Sequence, residues 1–511
     1  MTFNAYILYI KCMTRLTAIL HSEREFFSRV ARAAFLNPFS ESRDELDQSL
    51  AGNDVDRKGA LDAAIARVAD RSAALREALS GSLTCVPVSE RETIRTVLLF
   101  DLYHRFLDDF DRLIRDQAAA GDTPCPVPFA GKFQAAFDEA GFPGGESRRY
   151  LALFYQIRRA FYFIREGLAG SSPSLRRVRE HLWQTLFTHN IRWFEQHLWD
   201  RMEDFSVLIL GETGTGKGTA AAAIGRSGFI PFDPGSGRFS ESFTRNFLAV
   251  NLSQYPEGIL ESELFGHRKG AFTGAIDHHE GVFSRCTPHG AIFLDEIGEV
   301  SLPVQVKLLQ VVQERIFSPV GSHQRLRFSG RLIAATNRDL TRLRQEGAFR
   351  DDFYYRLCSD VITIPPLRQR VRERPEELNE LIAGILRRLA GAAPDKEVQV
   401  LRRAIERDVG KEYHWPGNVR ELEQAVRRVL VTGHYRGEAK PEPAGDLPRY
   451  LKEAAERECD AQELLAGYCR LLYERHGTFE EVARRANLDR RTVKKYLQRE
   501  QCARSDNRGR P

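Results

Sequence analysis

With 511 residues and a net charge of +5 from 75 basic and 70 acidic side chains, the chain is too long for one hydrophobic core. Its charge is also too evenly balanced for nucleic acid to be bound along its whole length, so any basic surface must be local. The eight cysteines (Cys12, Cys85, Cys125, Cys286, Cys358, Cys459, Cys469 and Cys502) include no CxxC pair, which argues against a zinc ribbon or a disulfide framework and fits reduced thiols in a cytosolic protein. No apolar run approaches the ~20 residues that span a bilayer, and the stretch from Ala5 to Ile10 is too short for a signal-peptide core.

Residues 1–190 read as an all-α region. Arg91 to Arg115 and Arg148 to Gly167 carry apolar residues at helical spacing, with breaks at Gly121 to Gly131, Gly141 to Gly145 and the Ser/Pro cluster Ser171 to Ser174. The aromatic run Phe154, Tyr155, Phe161, Tyr162 and Phe163 predicts a packed bundle face rather than a ligand pocket. From about 205 the texture changes. Ser206 to Leu210, Leu248 to Leu252, Ala291 to Leu294 and Arg331 to Ala335 read as buried parallel strands among helices, which predicts an α/β domain over 191–365. Gly225 to Gly237 is rich in Gly and Pro and reads as a loop, within a stretch from Gly225 to Phe247 of no evident purpose. Residues 366–436 are helical again, 437–449 form a Gly/Pro-rich linker, 450–500 a last helical module, and 501–511 a polar, disordered tail.

Chemistry enters at Gly211, Glu212, Thr213, Gly214, Thr215, Gly216 and Lys217, placed between a strand and an Ala-rich helix. This is the context of a P-loop: glycines let backbone N–H groups face phosphates, the helix N-terminus favours negative charge, and Lys217 reaches the β/γ-phosphates. Gly218 stands where the magnesium-binding hydroxyl usually sits, and Thr219 follows one residue late. Magnesium therefore falls mainly to carboxylates. Asp295 and Glu296 end an apolar strand; Asp295 suits Mg2+ and Glu296 suits polarising the attacking water of ATP hydrolysis. Asn337, ending a third strand, is placed to report the γ-phosphate.

Glu261 to Ala275 ends in Gly270-Ala271-Phe272-Thr273-Gly274-Ala275. Here the sequence resembles the sigma-54-dependent activators, the bacterial enhancer-binding proteins of the AAA+ superfamily. Further matches follow in order: Gly290 to Ile297, Gln305 to Leu309, Ile333 to Asn337, Phe349 to Leu357, Pro365 to Arg368 and Trp415 to Leu422. The resemblance covers about 205–435 and the C-terminal module. It implies an AAA+ core (191–365) with a helical lid (366–436), acting in the bacterial cytoplasm as a ring, a hexamer. Residues 270–275 would contact sigma-54, with Phe272 and Thr273 at the tip. Asn251 would be a switch that hydrogen-bonds Glu296. Arg350 and Arg356 would be arginine fingers toward a neighbouring subunit, and Arg420 a lid sensor of the same phosphate. No phosphoacceptor receiver is expected in residues 1–190.

Residues 479–498 fit a helix-turn-helix. Val482, Ala483, Leu488, Val493 and Leu497 form its core, Asp489 caps the second helix, and Arg490, Arg491, Thr492, Lys494 and Lys495 are offered to DNA. The module resembles the Fis type. The expected partners are sigma-54 RNA polymerase and double-stranded DNA upstream of promoters, with no membrane. A helicase or chaperone of the same superfamily is the first rival, and a DNA-binding repressor without ATP-driven opening the second. The intact residues 270–275 argue against both.

Overall fold

The computed structural model describes residues 14–52, 55–56, 59–79, 82–143, 145–437 and 460–497. Contacts divide the chain into two compact units, Met1–His434 and Tyr435–Pro511. Among the described residues no helix is long and apolar enough to cross a membrane. The expected linker, from 438 on, and the tail lie outside the described residues.

The first unit begins with a helical region. The stretch from Arg91 to Arg115, read as helical from its spacing, falls in two helices, Val88–Arg105 and Leu107–Ala120. The chain breaks at Phe106 (φ −103°, ψ 12°), whose ring packs against Phe129 and Phe133 (centroids at 6.0 and 5.2 Å). Helix α1 (Glu146–Gly167) buries Tyr150, Leu151, Phe154, Tyr155 and Ile164. Phe154 packs edge-on against Tyr103 and Phe133, as a packed face requires. Helix α2 (Pro173–Phe187) follows the Ser/Pro break.

The α/β part runs through β1 (Val207–Leu210), α3 (Lys217–Gly225), the hairpin β2 (Phe232–Asp233) and β3 (Arg238–Phe239), β4 (Phe247–Asn251), β5 (Ala291–Asp295), a second hairpin β6 (Ile316–Phe317) and β7 (Leu326–Arg327), β8 (Arg331–Thr336) and β9 (Asp360–Thr363). The main sheet is five-stranded and parallel, in the order β4-β5-β8-β1-β9. Its strands are short apolar runs because helices cover both faces. Helices α4 (Leu367–Glu373), α5 (Glu377–Ala390), Asp395–Val409 and α6 (Asn418–Thr432) complete the unit.

The helical region is bound to the α/β part and the lid helices at four places. Arg159 of α1 is fully buried, and its guanidinium donates to the carbonyls of Arg226 (2.6 Å) and Gly228 (2.7 Å) just beyond α3. A cation there complements the negative end of the helix. Burial lowers the Arg159 pKa to about 10, so it stays charged at neutral pH. The second contact is the segment read from sequence as a loop, which carries the β2–β3 hairpin. Phe239 stacks on Tyr155 with centroids 4.2 Å apart, Val127 N–H donates to the Gly237 carbonyl (2.9 Å), and Ser242 donates to the Gly121 carbonyl (2.7 Å). At the third, the buried carboxylate of Glu377 accepts from the backbone N–H groups of Ser171 and Ser172 (both 2.6 Å) and from Arg370 (2.6 Å). Glu373 accepts from Ser174 N–H (2.8 Å), so two carboxylates from α4 and α5 cap α2.

Fourth, His181 and Thr185 of α2 both hydrogen-bond Asp360 at the start of β9, His181 Nε2 at 2.7 Å. The bond to Asp360 raises the His181 pKa against the effect of burial. Burial alone would push Asp360 up, but the bonds from His181 and Thr185 outweigh it and hold it below the usual carboxylate range. The imidazolium contribution is fully present below the ordinary histidine pKa and is lost as pH rises through the raised one. The carboxylate contribution is present above the ordinary carboxylate pKa and is lost as pH falls through the depressed one. Replacing His181 by Gln should therefore lower the melting temperature most at about pH 5.5 and least at about pH 9, between and above the ordinary carboxylate and imidazole ranges. An equal loss at both pH values in thermal melts would contradict the pairing.

Candidate nucleotide site and effector loops

The parallel sheet brings the carboxyl ends of β1, β5 and β8 to one edge, where α/β folds gather ligands. After β1 the loop turns through Gly214 (φ 79°) and Gly216 (φ 107°), left-handed conformations that favour glycine. A Cβ on Gly214 would also collide with the carbonyl of Gly417. Thr215 is buried and its hydroxyl donates to the Glu212 carbonyl (2.8 Å). Lys217 opens α3, and its ammonium donates to the carbonyls of Gly211 (2.9 Å) and Glu212 (3.3 Å). Burial lowers its pKa, opposed by the nearby charges of Glu296 and Asp295. Gly218 offers no hydroxyl, and the methyl of Thr219 lies beside Gly167 of α1.

Asp295 ends β5 and accepts from Glu296 N–H (3.1 Å). Glu296 itself is left-handed (φ 58°), a conformation that a residue of this type rarely adopts outside functional turns. Asn337 then joins three segments. Its N–H donates to the Glu296 carboxylate (3.3 Å) and its amide donates to the Thr213 hydroxyl (2.8 Å). The donors suit magnesium: Asp295 and Glu296 carry no ion pair among the described residues and lie within electrostatic reach of Lys217. One or two carboxylates plus phosphate oxygens are the usual magnesium set.

One expectation is not met. Asn251 does not bond Glu296; its side-chain oxygen accepts from Ser253 N–H (3.1 Å) and hydroxyl (2.8 Å). The β4–β5 register sets Asn251 beside Asp295, one residue short of Glu296, and the nearer Ser253 donors take the oxygen. Arg350 is exposed in a two-pronged pair with Asp352 (3.0 and 2.7 Å), and the Arg356 guanidinium is exposed with no partner among the described residues. Neither touches this chain's own P-loop. Arg420, near the start of α6, lies beside it, its main-chain N–H donating to the Gly214 carbonyl (3.4 Å).

The reading from sequence missed a clamp on this loop. Arg368 grips Glu212 with both prongs (2.7 and 2.5 Å), and the Asn418 amide donates to Glu212 (3.2 Å) and to the Thr213 carbonyl (3.0 Å). Asn418 is left-handed (φ 54°), and its oxygen accepts from Leu367 N–H (2.7 Å). Both residues stand in the quoted motifs Pro365 to Arg368 and Trp415 to Leu422, which were the available signal.

Residues 270–275 form a tight projection. Gly270 (φ 79°) and Gly274 (φ 102°) hinge it, and Gly270 N–H donates to the Ala275 carbonyl (2.8 Å). Phe272 is 44 % exposed with its ring edge-on to His267; Thr273 is exposed, Ala271 abuts Gly321, and Ala275 is buried. Ile276, which sequence did not single out, is 74 % exposed.

In the second unit, Ala461–His476 is capped by Asp460, helix α7 (Phe479–Ala486) is capped by Thr478, and residues 490–497 form a third helix after left-handed Asn487. Cys469, Val482 and Val493 make the core, with Ala483, Leu488 and Leu497 packed on it. Asp489 accepts from Arg491 N–H (2.7 Å). Arg490, Arg491, Lys494 and Lys495 are exposed, Thr492 is half-buried, and Arg490 pairs with Glu480 (2.9 Å). Gln498 and residues 450–459 lie outside the described residues.

The clamp gives a test. Glu212→Ala should weaken binding of a fluorescent ATP analogue several-fold while costing less than about 1 kcal/mol of stability, because the ion pair is partly exposed. An unchanged Kd in a titration would show that the lid does not reach the nucleotide through Glu212.

The sigma-54 interaction domain family matches residues 192–364, and the AAA+ ATPase lid domain family matches 372–464. The chain is 37% identical over 344 residues to the transcriptional regulatory protein ZraR of Klebsiella oxytoca, covering 65% of this chain and 69% of that protein. It is 39% identical over 276 residues to the Nif-specific regulatory protein of Azotobacter vinelandii (53% of this chain, 46% of that protein) and 37% identical over 270 residues to the regulatory protein AtoC of Escherichia coli K12 (49% and 54%). It thus spans about half the length of these last two relatives. With its parallel P-loop sheet, helical lid and residues 270–275, the chain belongs to the sigma-54-dependent activators of the AAA+ superfamily.

Proposed function

We infer that this protein hydrolyses ATP in a ring, a hexamer, and uses the energy to remodel sigma-54 RNA polymerase from the closed to the open promoter complex in the bacterial cytoplasm. The observation that carries the reading is the hydrogen-bonded run Thr213–Asn337–Glu296. It joins the phosphate loop to the proposed catalytic carboxylate, in a chain that also exposes the glycine-hinged Phe272 and Thr273.

In this mechanism the amides of residues 211–217 and the Lys217 ammonium hold the β/γ-phosphates, with Gly218 and Thr219 lining the start of α3. Lys217 exchanges its loop carbonyls for phosphate oxygens. Asp295 would hold Mg2+, which supplies charge neutralisation when bound, and Glu296 orients the attacking water. Arg350 and Arg356 reach the γ-phosphate of a neighbouring copy; their exposure supports this, since neither is committed to its own P-loop. Arg420 senses the same phosphate from the lid. Asn251 switches from Ser253 to Glu296 during the cycle and thereby moves the loop 270–275 against sigma-54. Residues 1–190 regulate, 191–365 and 366–436 form motor and lid, and 450–500 bind upstream DNA through Arg490, Arg491, Thr492, Lys494 and Lys495. The packed three-helix core and the exposed cations support the DNA-binding assignment.

The coupling step is separable from hydrolysis. Thr273→Ala should leave nucleotide binding and basal ATPase within about twofold and cost little stability, since the side chain is exposed. It should abolish open-complex formation. A variant that opens promoters at the normal rate would remove Thr273 from its role; lost activity that tracks lost folded protein in a melt would make it merely structural.

A further inference from the structure

A cavity of about 450 Å³ opens where the helical region meets the amino ends of β5 and β8, at the edge of the sheet opposite the P-loop. That size lies within the range of small-molecule sites. Its walls include Gln156, Trp199, Asp200, Glu203, Ile224 and Phe229. Gln156 is 2 % exposed, yet its carboxamide oxygen has no hydrogen-bond partner. A buried acceptor left without a donor is unusual and costly. Trp199 and Phe229 meet edge to face with centroids 4.6 Å apart and form an aromatic wall, with the Arg149 guanidinium over the Trp199 ring (5.3 Å). Asp200 and Glu203 contribute two carboxylates. The one arginine on the wall, Arg331, is already donating to the carbonyls of Phe205 (3.0 Å) and Thr185 (2.9 Å). The cavity therefore offers an aromatic surface, an unmet acceptor and two carboxylates, of which Asp200 lies 4.0 Å from Arg201 and Glu203 has no side-chain ion pair among the described residues.

We propose that this cavity binds a small arylalkylamine, its ring against Trp199 and Phe229, a ring N–H on the Gln156 oxygen and its alkylammonium toward Asp200 and Glu203. The site has an outlet. Gly225, Ser227 and Gly228 line it, and Gly228 is held by Arg159, one helical turn from Gln156 on α1. Occupancy bears directly on the carboxyl end of the P-loop helix α3. This output rests on the ATPase reading above, whereas the binding itself does not.

The test uses the full chain, with tryptamine as probe and indole-3-acetate as its anionic counterpart, read by titration calorimetry. Saturable one-to-one binding of tryptamine is expected, at least tenfold tighter than indole-3-acetate. Gln156→Leu should weaken it at least tenfold, and Glu203→Gln, at a half-exposed position tolerant of change, several-fold with an unchanged melt. No saturable binding, preference for the carboxylate, or equal affinity in both variants overturns the proposal. ATPase is measured alongside. Turnover that shifts at least twofold on saturation supports the regulatory output, and binding without a shift rejects it. Binding to a protein that shows no ATPase with or without tryptamine places the failure in the motor reading instead.

Discussion

The molecule depends on how helix α3 is held. A P-loop helix must present its first turn to phosphate, and it can do so only if both of its ends are fixed. At the front, the Gly214 carbonyl accepts from Val419 N–H (3.0 Å), and Glu212 is held by Arg368 and Asn418. At the back, the buried Arg159 guanidinium occupies carbonyls that the helix end cannot satisfy for itself. The front is held by the lid and the back by the N-terminal helices. Those helices are also tied to the lid through Glu377 and Glu373, so one closed circuit runs from α3 to the lid, to α2, to α1 and back to α3.

A circuit of this kind makes the helical region part of the motor's geometry. Lid movement during a nucleotide cycle has to carry or break the cap that Glu377 places on α2. Breaking it would take from the buried Glu377 carboxylate its two backbone donors and from the buried Arg370 the Ala169 carbonyl, while the Glu377–Arg370 pair itself travels with the lid. The β2–β3 hairpin adds a second route. It docks on Tyr155 and Val127 and leads directly into β4, whose last residue is Asn251.

What the sequence disclosed divides along chain distance. The placement of the P-loop, of Asp295 and Glu296 and of Asn337 was legible because each is a short motif at the end of a strand, where local backbone geometry brings it to the sheet edge. The start of the second unit's α7 and the Asp489 cap were legible for the same local reason. The clamp and the circuit were not. Glu212 and Arg368 are 156 residues apart, and Ser171 and Glu377 are 206 apart. No periodicity links them. Arg159 reads in sequence as the polar side of an amphipathic helix and gives no sign that it is fully buried. The break at Phe106 was hidden because both helices keep the same apolar spacing across it. Asn251 was placed correctly at a strand end, but its partner depends on competition between Ser253 and Glu296, which only coordinates resolve.

The central claim is that nucleotide hydrolysis by this chain is converted into strand opening. Permanganate reactivity of unpaired thymines measures it most directly, on a sigma-54 promoter with the holoenzyme and this protein present. Reactivity around the start site is expected with ATP and Mg2+ and absent with a non-hydrolysable analogue. Equal reactivity with the analogue, or none with ATP under conditions where hydrolysis is measured, would contradict it.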